Sequence, residues 1–228
     1  MPVQTDSITD AYYDTGIHEE RFRKSIEWIK PYCKPGARIL EVGGCGKWTR
    51  WLLDKCPGVL VDPTIGDIRM GSLTDGPDGM YDVVVCMEVL EHVWDQPIVG
   101  EGVWPDAFLG TGAKHLLKEI HRVLKPGGVL HLTTPNACSA NTLWKLLNNN
   151  YPMMYRPHIR EYAPHELKEL VDEAGLKLER FETLEVWNQW GPNGTAGDMQ
   201  KMLAIMRHVG VSDKDRGEDM FLNAKKPL

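Results

Sequence analysis

The chain has 228 residues, 26 Lys and Arg against 32 Asp and Glu, and a formal net charge of -6. Its 42% hydrophobic and 25% charged residues are those of a globular domain with a full core, which excludes collagen, coiled coil and disorder. No run approaches the ~18 apolar residues of a membrane span, the opening MPVQTDSITD has no leader pattern, and the acidic balance disfavours nucleic acid as a partner; a cytoplasmic protein acting on a small molecule is expected, of undetermined oligomeric state.

Residues 18–32 have Phe22, Ile26 and Ile29 at helical spacing and are followed by Pro35-Gly36, which predicts a helix and its stop. The run 37–42 (ARILEV) predicts a strand entering Gly43-Gly44-Cys45-Gly46, and a helix follows over 47–55. Strands are predicted at 58–62 (GVLVD), at 67–73 (DIRMGSL) and at 81–87 (YDVVVCM), the last nearly uncharged. Residues 93–112 form a Gly- and Pro-containing loop with Trp94, Trp104 and Asp106, long enough to suggest a functional lid. A helix over 114–124 turns through Lys125-Pro126-Gly127-Gly128 into a strand at 129–134. Helices at 139–149 and 164–174, a strand at 176–186 and a last strand at 219–225 (DMFLNAK) complete the pattern.

Strands alternating with helices predict an α/β fold with a parallel sheet covered on both faces. Ligands of such sheets bind at the carboxyl ends of the strands. The division expected is an N-terminal helical cap, 1–36, and one domain, 37–228, carrying the 93–112 insertion. Five cysteines without a CxxC pair suit reduced thiols better than disulfides or zinc.

Glu41-Val42-Gly43-Gly44-Cys45-Gly46 ends a strand and opens a helix. Glycines there let a ligand approach the backbone. A carboxylate just before them is a poor neighbour for pyrophosphate and a good one for an ammonium group. The run ILEVGGCGKWTRWL resembles motif I of class I S-adenosylmethionine (SAM) methyltransferases, and VLVD, YDVVVCMEVLEHV and HRVLKPGGVLHLTTPN match further motifs in the family's order. The resemblance covers roughly residues 37–186. It implies a Rossmann-like fold of seven strands, the last antiparallel, and SAM as cofactor. It also implies Glu41 near the methionyl amino group, Gly43, Cys45 and Gly46 at the close backbone approach, Asp62 at the ribose, and Met87 beside the methionyl part. Ser72 stands where the family often has an acidic residue facing adenine.

Glu88-Val89-Leu90-Glu91-His92 brings two carboxylates and an imidazole together, a donor set for a divalent cation such as magnesium. With His158 as a distant partner it resembles the metal site of small-RNA ribose methyltransferases and of ubiquinone-pathway O-methyltransferases. That resemblance implies Glu88, Glu91, His92 and His158 as ligands; His92 alone could act as a general base. Trp104, His158 and Arg160 are the expected acceptor-side residues. Together these point to an O-methyltransferase acting on a small polyhydroxylated acceptor such as a sugar or a glycan or natural-product intermediate. An RNA ribose 2′-O-methyltransferase and an inactive SAM-binding partner protein are the other readings.

Overall fold

The computed structural model describes residues 16–44, 46–64, 73, 77–95, 111–187 and 196–228. The expected strand at 67–73 and most of the 93–112 loop, with Trp104 and Asp106, lie outside them, as do Cys45 and Ser72.

The apolar runs of the sequence form one sheet. Its strands are β1 (Arg38–Val42), β2 (Leu60–Pro63), β3 (Tyr81–Met87), β4 (Leu124–Pro135), β5 (Lys177–Leu184) and β6 (Asp219–Lys225). They lie in the order β2-β1-β3-β4-β6-β5. Neighbours from β2 to β4 are parallel, and β6 runs antiparallel to both β4 and β5. The described residues thus hold six strands of the expected seven, with the last strand reversed as expected. From β1 the chain goes outward to β2 and then returns to the other side as β3. The topological switch point, where α/β sheets open a crevice for ligands, therefore lies between the ends of β1 and β3.

Because the strands are covered on both sides, consecutive residues serve opposite cores. Ile39, Val83 and Val85 meet Phe22, Ile26 and Ile29 of α1 (Glu19–Ile29) and Trp48 and Leu52 of α2 (Gly46–Lys55). Leu40, Val84, Leu130 and Leu222 meet Leu116, Leu117 and Ile120 of α3 (Thr111–Val123). Leu167 and Val171 of α5 (Pro164–Glu173) complete that side. The N-terminal helix is thus packed on the sheet itself.

Strand β4 is twice the expected length because Lys125–Gly128 does not end it. Pairing with β3 steps from Tyr81↔Leu124 to Val83↔Val129, so the turn residues bulge out within a continuing strand, with Gly127 at φ +78°. A helix that the sequence reading did not predict, α6 (Ala196–His208), buries Met199, Met202 and Met206 against Ala140 of α4 (Ala140–Leu147). The three methionines have helical spacing, but they lie in a short stretch flanked by Gly and Asn. No helix among the described residues is long and apolar enough to cross a membrane.

One polar group is sealed inside the sheet. His131 of β4 is fully buried, and its Nδ1 lies 2.8 Å from Oδ1 of Asn223 on β6. The Asn223 amide in turn donates to the Trp28 carbonyl at 3.2 Å, tying α1 to the sheet. With the amide nitrogen so used, Asn223 Oδ1 accepts from Nδ1–H, and the imidazole is neutral. Burial lowers its pKa to about 4. The unfolded imidazole titrates near 6.5, so the unfolded chain takes a proton first as pH falls. This stability is present above pH 6.5 and is lost as pH falls toward 4. In urea denaturation the advantage of wild type over His131→Gln should shrink by about 3 kcal/mol at most between pH 7 and pH 4; a constant difference would contradict the assignment.

Candidate functional site

The candidate site residues gather along the carboxyl ends of β1, β3 and β4. Residues 43 and 44, at φ +87° and +55°, turn the chain from β1 into the first turn of α2. Left-handed geometry alone favours glycine, and at Gly43 there is a second reason: an added Cβ would lie 2.4 Å from Cγ2 of Val89. The turn is thus locked against the segment that leaves β3. Glu41 is buried and accepts the Thr49 hydroxyl from α2. Thr64, unmarked by the sequence reading, ties β2 to the same turn. Its N–H donates to the Glu41 carbonyl at 3.0 Å and its Oγ1 accepts from Gly43 N at 3.1 Å.

Asp62 lies in β2 beside Leu40, and its Oδ2 is 2.6 Å from Arg38 Nη2 and 3.1 Å from Arg38 Nε. Met87 ends β3 half-buried, packed against the α1–α2 core.

Glu88 follows in the left-handed conformation at φ 54°. Its carboxylate turns away from the residues after it: Oε1 accepts the Thr133 hydroxyl at 2.7 Å and Oε2 lies 3.2 Å from Nη1 of buried Arg21. Arg21, on α1, also stacks 4.7 Å from the Trp187 ring. The adjoining Asp219 of β6 is fully buried, and its carboxyl is held well above the ordinary range by burial and then by Glu88.

Leu90–His92 is a single 3-10 turn. Glu91 has no exposed surface; its Oε2 accepts the Thr134 hydroxyl at 2.9 Å and its Oε1 has no hydrogen-bond partner. The Glu91 carbonyl receives the N–H groups of Ile159 and Arg160 at 2.8 and 3.3 Å, which brings the 155–160 segment over the turn. His158 thereby meets His92, with ring centroids 4.8 Å apart. Nε2 of His92 and Nε2 of His158 lie 3.9 and 4.0 Å from Glu91 Oε1. His158 Nδ1 is 2.6 Å from Glu161 Oε1.

Of the four expected metal ligands, three therefore converge: Glu91, His92 and His158 each offer an atom, all within 4.8 Å of one another. Glu88 is the exception, committed to Arg21 and Thr133 on the α1 side. Donor atoms around one ion with bonds of about 2.0–2.2 Å lie about 3–4 Å apart, so small side-chain rotations suffice. An orphaned, fully buried carboxylate oxygen facing two imidazole nitrogens suits a borderline or hard divalent cation. Burial and then the Glu88 charge push the Glu91 carboxyl well above its ordinary range; burial and then His158 lower His92.

Arg160 does not face this cluster. Its guanidinium pairs with Glu166 in the first turn of α5 and lies 5.3 Å from the Tyr162 ring centroid. Where the sequence reading expects an acceptor contact, the structure shows an ion pair with Glu166 at the start of α5.

Gly43→Ala should cost about 2–4 kcal/mol in urea denaturation, from the left-handed backbone and the Val89 clash. Adding Val89→Ala should make the double variant more stable than the sum of the single losses predicts. Strict additivity would mean that the two residues do not meet.

Comparisons with known proteins agree with this fold. A family model described as a methyltransferase domain matches residues 16–180. A probable S-adenosylmethionine-dependent methyltransferase of Mycolicibacterium smegmatis is 34% identical over 127 residues, 55% of this chain and 40% of that protein. A ubiquinone biosynthesis O-methyltransferase of Pseudomonas aeruginosa is 29% identical over 53% of this chain and 46% of its own length. The enzyme of that description from Xanthomonas axonopodis pv. citri is 28% identical over 68% and 69%. The chain thus spans less than half the length of the first two relatives. Among solved structures, a SAM-dependent methyltransferase from Archaeoglobus fulgidus has a TM-score of 0.58 at 15% identity, covering 94% of this chain and all of that one; at that identity it shows the fold alone. The chain belongs to the methyltransferase-domain family, and its fold is that of the class I SAM-dependent methyltransferases.

Proposed function

We propose that the protein methylates a hydroxyl oxygen of a small polyhydroxylated acceptor, and that Glu91, His92 and His158 hold a divalent cation beside that hydroxyl. The observation that carries this reading is the orphaned Glu91 oxygen facing two imidazole nitrogens, next to the switch point of the sheet. The names of the ubiquinone-pathway relatives favour oxygen as the methyl acceptor.

SAM supplies a methyl group on a positively charged sulfur. Its place in this reading is the crevice bordered by Glu41, Gly43, Gly46, Asp62 and Met87. The carboxyl groups of buried Glu41, Glu91 and Asp219 and half-buried Glu88 near the strand ends outnumber the one buried arginine, and a bound cation would favour their ionised forms. A bound divalent cation lowers the pKa of a hydroxyl that ligates it.

The chain's own residues do the rest by positioning, which can supply several kcal/mol of the barrier. Thr134 holds one oxygen of Glu91 and leaves the other for the ion. His158 is fixed from behind by Glu161. His92, with 35% of its side chain exposed against 5% for His158, is the member of the cluster nearest to solvent and to an entering acceptor. That exposure and its lowered pKa also favour a second reading, in which neutral His92 itself takes the hydroxyl proton.

Chelation separates the two. In the metal reading, turnover of a hydroxyl acceptor stops in excess chelator and returns with added magnesium or manganese. Glu91→Ala loses turnover at least 100-fold, roughly the share of one catalytic device, while SAM affinity by calorimetry stays within about twofold. Full activity in chelator would reject the ion and leave His92 as the base.

A further inference from the structure

His158 sits on a segment without regular structure, yet its ring must present one nitrogen to Glu91. Five interactions fix that segment. Ile159 and Arg160 donate to the Glu91 carbonyl. The Lys145 ammonium, on α4, donates to the Met153 carbonyl at 3.0 Å. Met154 N–H donates to Glu161 Oε1 at 2.6 Å, and that oxygen also lies 2.6 Å from His158 Nδ1. The Glu161 and His158 side chains are 3% and 5% exposed. Lys145 is buried too; burial lowers its pKa, and Glu161 and then Glu218 are the carboxylates whose charge opposes that.

A carboxylate oxygen is an acceptor, so it calls for a proton on Nδ1. That leaves Nε2 with its lone pair, 4.0 Å from Glu91 Oε1. Without the carboxylate the neutral ring is free to carry its proton on Nε2, where it cannot ligate an ion.

We propose that Glu161 is a positioning residue that sets the tautomer and ring orientation of His158. The role rests on the metal reading above but acts through His158 alone: Glu161 holds the Nδ1 proton, and Nε2 faces the site. Carboxylates behind ligating histidines typically change metal affinity by roughly 10–100-fold.

The test uses the full chain in three forms: wild type, Glu161→Gln and Glu161→Ala. Nitrogen-15 NMR of the histidine rings reads the tautomer without metal, and titration with cobalt(II), followed by its visible spectrum and by calorimetry, reads affinity. The inference predicts His158 as the Nδ1–H tautomer in wild type. It predicts the same tautomer in Glu161→Gln, whose amide oxygen still accepts, and loss of that single tautomer in Glu161→Ala. Cobalt affinity should fall roughly 10–100-fold in Glu161→Ala and be largely retained in Glu161→Gln. An unchanged His158 tautomer in Glu161→Ala overturns the inference. Wild type that takes up no cobalt overturns the metal reading instead, and the NMR result still decides the role of Glu161. Loss in both variants alike, with the ring unchanged, would assign Glu161 to loop folding only and reject the proposal.

Discussion

The site depends on the burial of one carboxylate. Glu91 has no contact with solvent, and each of its polar parts is used differently: one oxygen by Thr134, the carbonyl by Ile159 and Arg160, the other oxygen by no donor. Burying a charge without partners costs several kcal/mol. Evolution of a stable fold alone would place an apolar residue there. The Glu91 backbone carbonyl draws the 155–160 segment across the end of the sheet, and the second histidine so placed faces the carboxylate. Remove Glu91, and Thr134 and two imidazole nitrogens lose their common partner.

Glu88 and Glu91 show how one short motif serves two faces. Both follow β3, three residues apart. Glu88 takes a left-handed backbone conformation and turns to Arg21 on the α1 side; the 3-10 turn carries Glu91 to the opposite side, toward Thr134. Val89, between them, packs on Gly43. The glycine turn, the α1 helix and the histidine cluster are therefore coupled mechanically at five consecutive residues.

Much of this was legible in the sequence, and the reasons differ by residue. The strand YDVVVCM and the helices with regular apolar spacing announce themselves because burial on two faces or one stripe leaves a periodic mark. Glu91 and His92 could be grouped because ExxEH sets carboxylates beside an imidazole, and His158 joined them only through the resemblance to metal-dependent methyltransferases. Glu88 could not be placed correctly, since nothing in ExxEH reveals a positive φ or an arginine waiting on another helix. Arg160 reads as a pocket residue until Glu166, one helical turn into α5, is seen beside it. Thr64 and Thr134 left no signal: a threonine hydroxyl gains its meaning only from what the fold sets against it. The Lys-Pro-Gly-Gly run reads as a stop, but a bulge lets β4 continue through it.

The central claim is that Glu91, His92 and His158 share a divalent ion. Crystals grown with manganese and S-adenosylhomocysteine, measured for anomalous scattering, test it most directly. The account predicts one strong peak bonded to Glu91 Oε1, His92 Nε2 and His158 Nε2 at about 2.0–2.3 Å, with further positions open to the acceptor. Well-ordered side chains with a water or no density between them, at manganese concentrations far above cellular levels, would contradict it.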